Sequence, residues 1–159
     1  MSVKITGIAA VKHQFAAIEG FLASTKPMEG IVADIKTLIL VKTASGLDYM
    51  GRSFMPYSKA YKKKKTGMTA TGRPNLKLSG TMLDAIKTEV KDARHGAVFV
   101  ASVGEPKGRA NSDMLAQIHT TGTGKQPTRE FMNLASSAVK KLTKKHYDDP
   151  IGALAKAAR

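Results

Sequence analysis

The chain has no cysteine and no tryptophan, only five phenylalanines and four tyrosines, and 12 acidic residues against 26 lysines and arginines. Without cysteine there are no disulfides, no thiolate metal ligands and no cysteine nucleophile, which fits synthesis inside a cell. No apolar run approaches the ~20 residues that span a bilayer, so no membrane contact is expected. The short apolar run at 5–11 is followed by Lys12 and His13 and reads as the start of a helix rather than a signal peptide. The four histidines, at 13, 95, 119 and 146, form no H-x-x-x-H pair, so a metal site has no local support. Gly122, Thr123, Gly124 and Lys125 resemble a phosphate loop only in part. His119 stands where the first Walker glycine belongs, and Gln126 where Ser or Thr should follow the lysine. There is no G-x-S-x-G elbow, and the one adjacent carboxylate pair, Asp148 and Asp149, precedes Pro150 as a solvated helix end would. The expectation is a protein with no catalytic residues, no cofactor and no metal.

What is present is a globular composition, 42% hydrophobic and 24% charged over 159 residues, with a formal net charge of +14. That length suits one domain, expected over 1–150, with a short docking tail at 151–159. Such a field attracts polyanions and acidic protein surfaces. Its densest part lies between Asp48 and Asp84, where every charged residue is basic: Arg52, Lys59, Lys62, Lys63, Lys64, Lys65, Arg73 and Lys77. The stretch opens GRSFMPYSKAYKKKK, with Pro56 forcing Met55 out of the helical region. It continues through a gap holding Gly67, Gly72 and Pro74, and closes LKLSGTMLDAI. A long basic arm at about 59–75 is expected. Lys59, Lys62, Lys63, Lys64, Lys65 and Arg73, with Tyr61 among them, would contact either another subunit or the phosphates of DNA.

Around the arm the apolar spacing predicts an α+β fold: a small antiparallel sheet with flanking helices and a C-terminal helix. Ile8, Val11, Phe15, Ile18 and Leu22 mark one face of a first helix. Thr25 and Pro27 open a second, whose buried stripe is expected at Ile31, Ile35, Leu38 and Val41, with Gly46 as its stop. Residues 47–54 read as a short extended piece. A helix from Ser79 through Ile86 is followed by a hairpin, one strand around Thr88 and Val90 and the other at 97–103, turning at Arg94, His95 and Gly96. Ser112 or Asp113 caps a short helix. A last helix is expected from about Arg129 to Tyr147, ended by Pro150.

The order of segments carries a further signal. Phe54, Pro56, Tyr57, Ser58 and Tyr61 come first, then Leu78, Gly80 and Met82. Ala116, Ile118, His119 and Gly122 follow, and then Pro127, Arg129 and Phe131. This succession, over residues 50–135, resembles the tailed-bacteriophage virion morphogenesis family of tail-completion, or head–tail joining, proteins. Glu130 stands where the family often has a second proline. The resemblance implies a non-enzymatic structural subunit of the virion neck or tail end, made in the host cytoplasm. It implies a homo-oligomeric ring, six-fold to match a tail tube or twelve-fold to match a connector, with other neck, connector or tail proteins as partners. Phe54, Pro56, Tyr57, Gly80, Met82, Ile118, His119, Gly122, Pro127, Arg129 and Phe131 would then be scaffold. The alternative reading, from charge alone, is a non-specific basic DNA-binding module.

Overall fold

In the computed structural model, residues 8–59, 74–76, 81–104, 110–122 and 126–157 are described. They form an α+β protein. The elements are helices α1 (Ile8–Ala23), α2 (Lys26–Ala44) and α3 (Thr81–Asp84), strands β1 (Ile86–Val90) and β2 (Gly96–Val100), and helices α4 (Ser112–Thr121), α5 (Ser136–Thr143) and α6 (Asp149–Lys156). A π-helical turn, Lys144–Asp148, joins α5 to α6, giving a C-terminal helix of 21 residues. The two strands make one antiparallel hairpin. Packing divides the chain into two compact units: a helical unit of 1–33, 89–97 and 136–159, and a core unit of 34–88 and 98–135.

The core unit holds the continuous hydrophobic core. Ile39 of α2, Phe54, Leu76, Met82 and Leu83 of α3, Ile86 of β1, Ala116 of α4 and Phe131 pack together, with Ile35, Val98, Val100 and Met132 partly buried against them. Ile86 is fully buried at the start of β1, whereas the sequence placed it at the end of a helix. The ladder continues past β2, where Ala101 N–H donates to Ala85 O at 2.9 Å. α2 ends as its glycine predicts: Gly46 adopts φ 75° and donates to Thr43 O, and Leu47 N–H reaches back to Lys42 O at 2.9 Å. This is the six-to-one, five-to-two pairing of a Schellman cap. The buried stripe of α2 is turned by about one residue from the expected one. Val32, Ile39 and Thr43 are buried, and Val41 is 59% exposed.

Residues 47–53 form a clasp rather than a plain extended piece. Leu47 bridges Ser53 across it, and Gly51 turns with φ 85°. The Asp48 carboxylate accepts from Met50 N–H at 2.9 Å, from Arg52 N–H at 2.8 Å and from Arg52 Nε at 2.7 Å. Ser112 also has a role other than capping. Fully buried, it donates from Oγ to Ala101 O at 2.5 Å and accepts from Val103 N–H at 2.8 Å, while its own N–H donates to Val103 O. One hydroxyl thus fixes the chain leaving β2 to the first turn of α4.

In the helical unit α1 packs on α6, with the Gln14 side-chain amide donating to Ala155 O. Phe21 meets Tyr147 edge to face, centroids 6.3 Å apart, and Tyr147 O–H donates to Ala93 O at 2.9 Å. The inward residues of α1 include Gln14, Ala17, Ile18 and Phe21, so the expected apolar face is not the buried one. Ile8, Val11, Phe15 and Leu22 are 44–62% exposed.

The last helix begins at Ser136, not Arg129, and does not stop at Pro150. Proline lacks an N–H and its ring crowds the carbonyl four residues back. The wider π turn just before it, in which Asp149 N–H donates to Lys144 O, relieves that conflict and makes Pro150 an early residue of α6. The same turn sets the His146 ring against α2, where a Cβ on Gly30 would lie 2.5 Å from it.

Ser112→Ala should cost about 1–3 kcal/mol, because the buried Val103 N–H loses its acceptor and Ala101 O its donor. Urea denaturation of the full chain measures it. Ser112→Thr should recover less than the full loss if the site has no room for a methyl group.

Candidate functional site

The residues that carry the family resemblance lie as far as 77 positions apart, from Phe54 to Phe131. Among the described residues, Arg129, which is 3% exposed, links the segment holding Tyr57 to the segment holding His119 within the core unit. Its Nη2 donates to Met55 O at 3.1 Å, and its guanidinium carbon stands 5.1 Å from the centre of the Tyr57 ring. Its backbone N–H donates to His119 O at 2.6 Å, at the C-terminal end of α4. Next to it, Tyr49 N–H donates to Glu130 O at 3.1 Å. Residues 126–131 are not helical, and Tyr49 takes the Glu130 carbonyl that a helix would use.

Gly122 shapes the approach to this segment. Its φ is 70°, and a Cβ would fall 2.6 Å from Thr128 Oγ1 and 3.2 Å from Gln126 O. Backbone conformation and space therefore both require glycine there. Phe54, Phe131, Met82 and Ala116 are buried together in the hydrophobic core. Ile118 and Pro127 are half-buried, whereas Pro56 is exposed.

Tyr57 connects this junction to the arm. Burial pushes its phenol up, while the N–H groups of Leu76 and Asn75, directed at its oxygen, and the charge of Arg129 pull the other way. The backbone entering the arm and the backbone leaving it are thereby held at one ring. Leu76 is buried with φ 53°, a left-handed conformation that costs a leucine about 1 kcal/mol or more. The core contact of its side chain and the hydrogen bond to Tyr57 offset that strain. Lys59 is exposed. Tyr61, Lys62, Lys63, Lys64, Lys65, Arg73 and Gly80 lie outside the described residues.

A cleft of about 320 Å³ opens beside Arg129, between Asp48, Arg52 and Met55 on one side and Thr128 and Glu130 on the other. Met55 and Met50 are both well exposed near it. Asp48, at its edge, has opposing influences. Burial pushes its carboxyl up, but the Arg52 N–H, the Arg52 guanidinium and the Met50 N–H together hold it below the usual carboxylate range. Sequence reasoning gave Asp48 no role and Ser112 only that of a candidate helix cap, whereas the capping position is Asn111. The pattern Asp48–x–x–Gly51–Arg52 was a usable turn signal for the first, but nothing in the sequence marks a serine that bonds strand end to helix.

Arg129→Lys should destabilise the core unit by about 2 kcal/mol, since an ammonium cannot both reach Met55 O and lie flat on Tyr57. Thermal unfolding with near-ultraviolet dichroism of the tyrosines measures it. Asp48→Asn should cost about 1 kcal/mol at pH 7. The folded-state pKa of Asp48 lies below the unfolded value, so the carboxylate's contribution is complete above that unfolded value and fades as pH falls through the folded one. The gap between wild type and variant should therefore narrow from pH 6 to pH 3 in denaturant titrations.

The chain matches no protein-family model, no curated protein and no solved structure.

Proposed function

We propose that this protein is a non-enzymatic structural component of a tailed-bacteriophage virion, a neck or tail-completion subunit that helps join the DNA-filled head to the tail. The observation that supports this reading is that Arg129 ties the segment of Met55 and Tyr57 to His119, so that three of the family-like segments are joined by one buried side chain and its backbone. Phe54, Met82, Ala116 and Phe131 pack in the core, and Gly122 turns the chain toward Thr128. In this reading such a site anchors the two ends of the arm at about 59–75, through Tyr57, Asn75 and Leu76.

In this reading copies close a ring around the DNA channel, six-fold before twelve-fold, through contacts between neighbouring subunits. The arm and the C-terminal residues make those contacts, and the neighbouring neck, connector or tail proteins cap the ring. Packaged DNA is the second choice of partner for the arm, and the distribution of charge favours keeping it. The described residues hold 15 of the 26 basic side chains and 11 of the 12 acidic ones. Most of the +14 therefore belongs to the remaining sequence, in which the arm is the densest part.

Imaging particles assembled without this protein tests the role: full heads beside separate, finished tails are expected, and normal virions would falsify it. Replacing Lys62, Lys63, Lys64 and Lys65 together by Ala separates the partners. A subunit-contact arm yields unjoined particles with little dependence on salt. A DNA-contact arm loses a duplex affinity that, in the wild type, falls roughly as the fourth power of salt concentration for four phosphate contacts.

A further inference from the structure

We infer that the outward face of α1 is a self-association surface, on which the α1 helices of two copies of this chain pack antiparallel about a twofold axis close to Phe15. The face is defined by spacing and by exposure together. Ile8, Val11, Phe15, Ile18 and Leu22 alternate steps of three and four, the seam spacing of helices that pack in pairs. At about 100° per residue, Ile8, Val11, Phe15 and Leu22 fall within about 60° of arc, centred about 100° from the Gln14, Ala17, Ile18 and Phe21 side. Contacts within the protomer engage that second side, Gln14 on α6 and Phe21 on Tyr147. They leave the stripe uncovered: Phe15 is 62%, Ile8 52%, Val11 49% and Leu22 44% exposed. Four large apolar side chains in one line, about 21 Å long, are more than scattered surface hydrophobics.

Charge selects the occupant and its direction. Lys12 and Glu19 are exposed and project within about 20° of each other, along the edge of the stripe remote from α6. They sit almost symmetrically about its middle. In an antiparallel twofold pair, residues on the same edge face one another with their order along the axis reversed. Lys12 then meets Glu19 of the partner subunit, and Glu19 meets the partner's Lys12. Ile8 comes opposite the partner's Leu22, and Phe15 lies beside its own symmetry mate. A parallel pair would bring opposite edges together and leave both charges without a counterpart. The stripe is thus complementary to itself in one orientation, as an isologous contact requires.

Such a contact is smaller than a standard interface of about 800 Å² per partner, so association on the order of tens of micromolar or weaker is expected. It does not rest on the joining role. An isologous contact closes on two copies and does not build a ring of six or twelve, so the loss of either proposal leaves the other standing.

Sedimentation velocity of the full chain across a concentration series, at low and moderate salt, is the first measurement. A reversible dimer is expected, weakened about tenfold or more by Phe15→Glu with unchanged far-ultraviolet dichroism. Lys12→Glu and Glu19→Lys should each weaken it, and the double exchange should restore it. Because the chain has no cysteine, disulfide trapping fixes the direction: a mixture of Ile8→Cys and Leu22→Cys should cross-link between the two variants, and neither should cross-link alone. A protein that stays monomeric into the high micromolar range overturns the inference. So does a dimer indifferent to Phe15→Glu, or one that Ile8→Cys traps with itself.

Discussion

A guanidinium taken out of water must find donors' partners and a polarisable surface around it, or the fold loses several kcal/mol. Arg129 sets that requirement for the core unit, and the surrounding backbone answers it. Residues 126–131 give up helical pairing so that the Arg129 N–H can reach His119 O, and the turn at Gly122 takes a left-handed conformation to bring the chain there. Met55 offers a carbonyl, made available because Pro56 keeps the chain extended at that point. Tyr57 offers its ring face, and its oxygen in turn takes the N–H groups of Asn75 and Leu76. One buried charge thereby couples α4, the 55–57 segment and the far end of the arm. None of these links is strong in isolation. They share members, so removing one leaves others with buried groups unpaired, which is where such networks become expensive.

The parts legible in the sequence were those decided locally. The Schellman stop at Gly46, the hairpin turning ahead of Gly96, and the α+β class follow from turn chemistry and periodicity, and the structure has all three. The parts that were not legible were decided at a distance. Arg129 to Ala135 has good helical spacing, yet the segment is not helical, with the Arg129 N–H bound to His119 and the Glu130 carbonyl to Tyr49. Pro150 is a reliable helix breaker only where the helix is strictly α, and the π turn at Lys144–Asp148 suspends that rule. The stripe of α2 was misplaced by one residue because Leu38, Ile39, Leu40 and Val41 are consecutive, and four apolar neighbours point in every direction around a helix. Of the candidate site, the resemblance singled out Tyr57, His119 and Arg129, but the contacts that join the three could not be read from the sequence.

The two units differ in what holds them. The core unit has a continuous apolar centre in which Ile86 is fully buried. The helical unit has a smaller buried centre: its contacts include Val32, buried against Gly96, one aromatic edge, the hydrogen bonds of Gln14 and Tyr147, and the ring of His146 on Gly30. No residue of α1, α5 or α6 is fully enclosed. Helices of 16 and 21 residues depend on packing of an amphipathic face for most of their stability, and here that packing engages only part of their apolar surface.

Periodicity marks an apolar stripe on α1, and the structure leaves most of that stripe exposed. A hydrophobic pattern says that a face is apolar; it does not say which surface buries it. Here the side packed within the protomer contains Gln14, Ala17, Ile18 and Phe21, while Ile8, Val11, Phe15 and Leu22 point outward. A helix whose own fold engages one side and leaves four large apolar residues exposed on another has that second side left for another molecule. The Lys12 and Glu19 pair restricts that molecule further, because a generic apolar partner would have no use for opposite charges placed symmetrically about Phe15. Burial within one chain and association between chains draw on the same apolar area, and on α1 the division between them is set by which residues face α6.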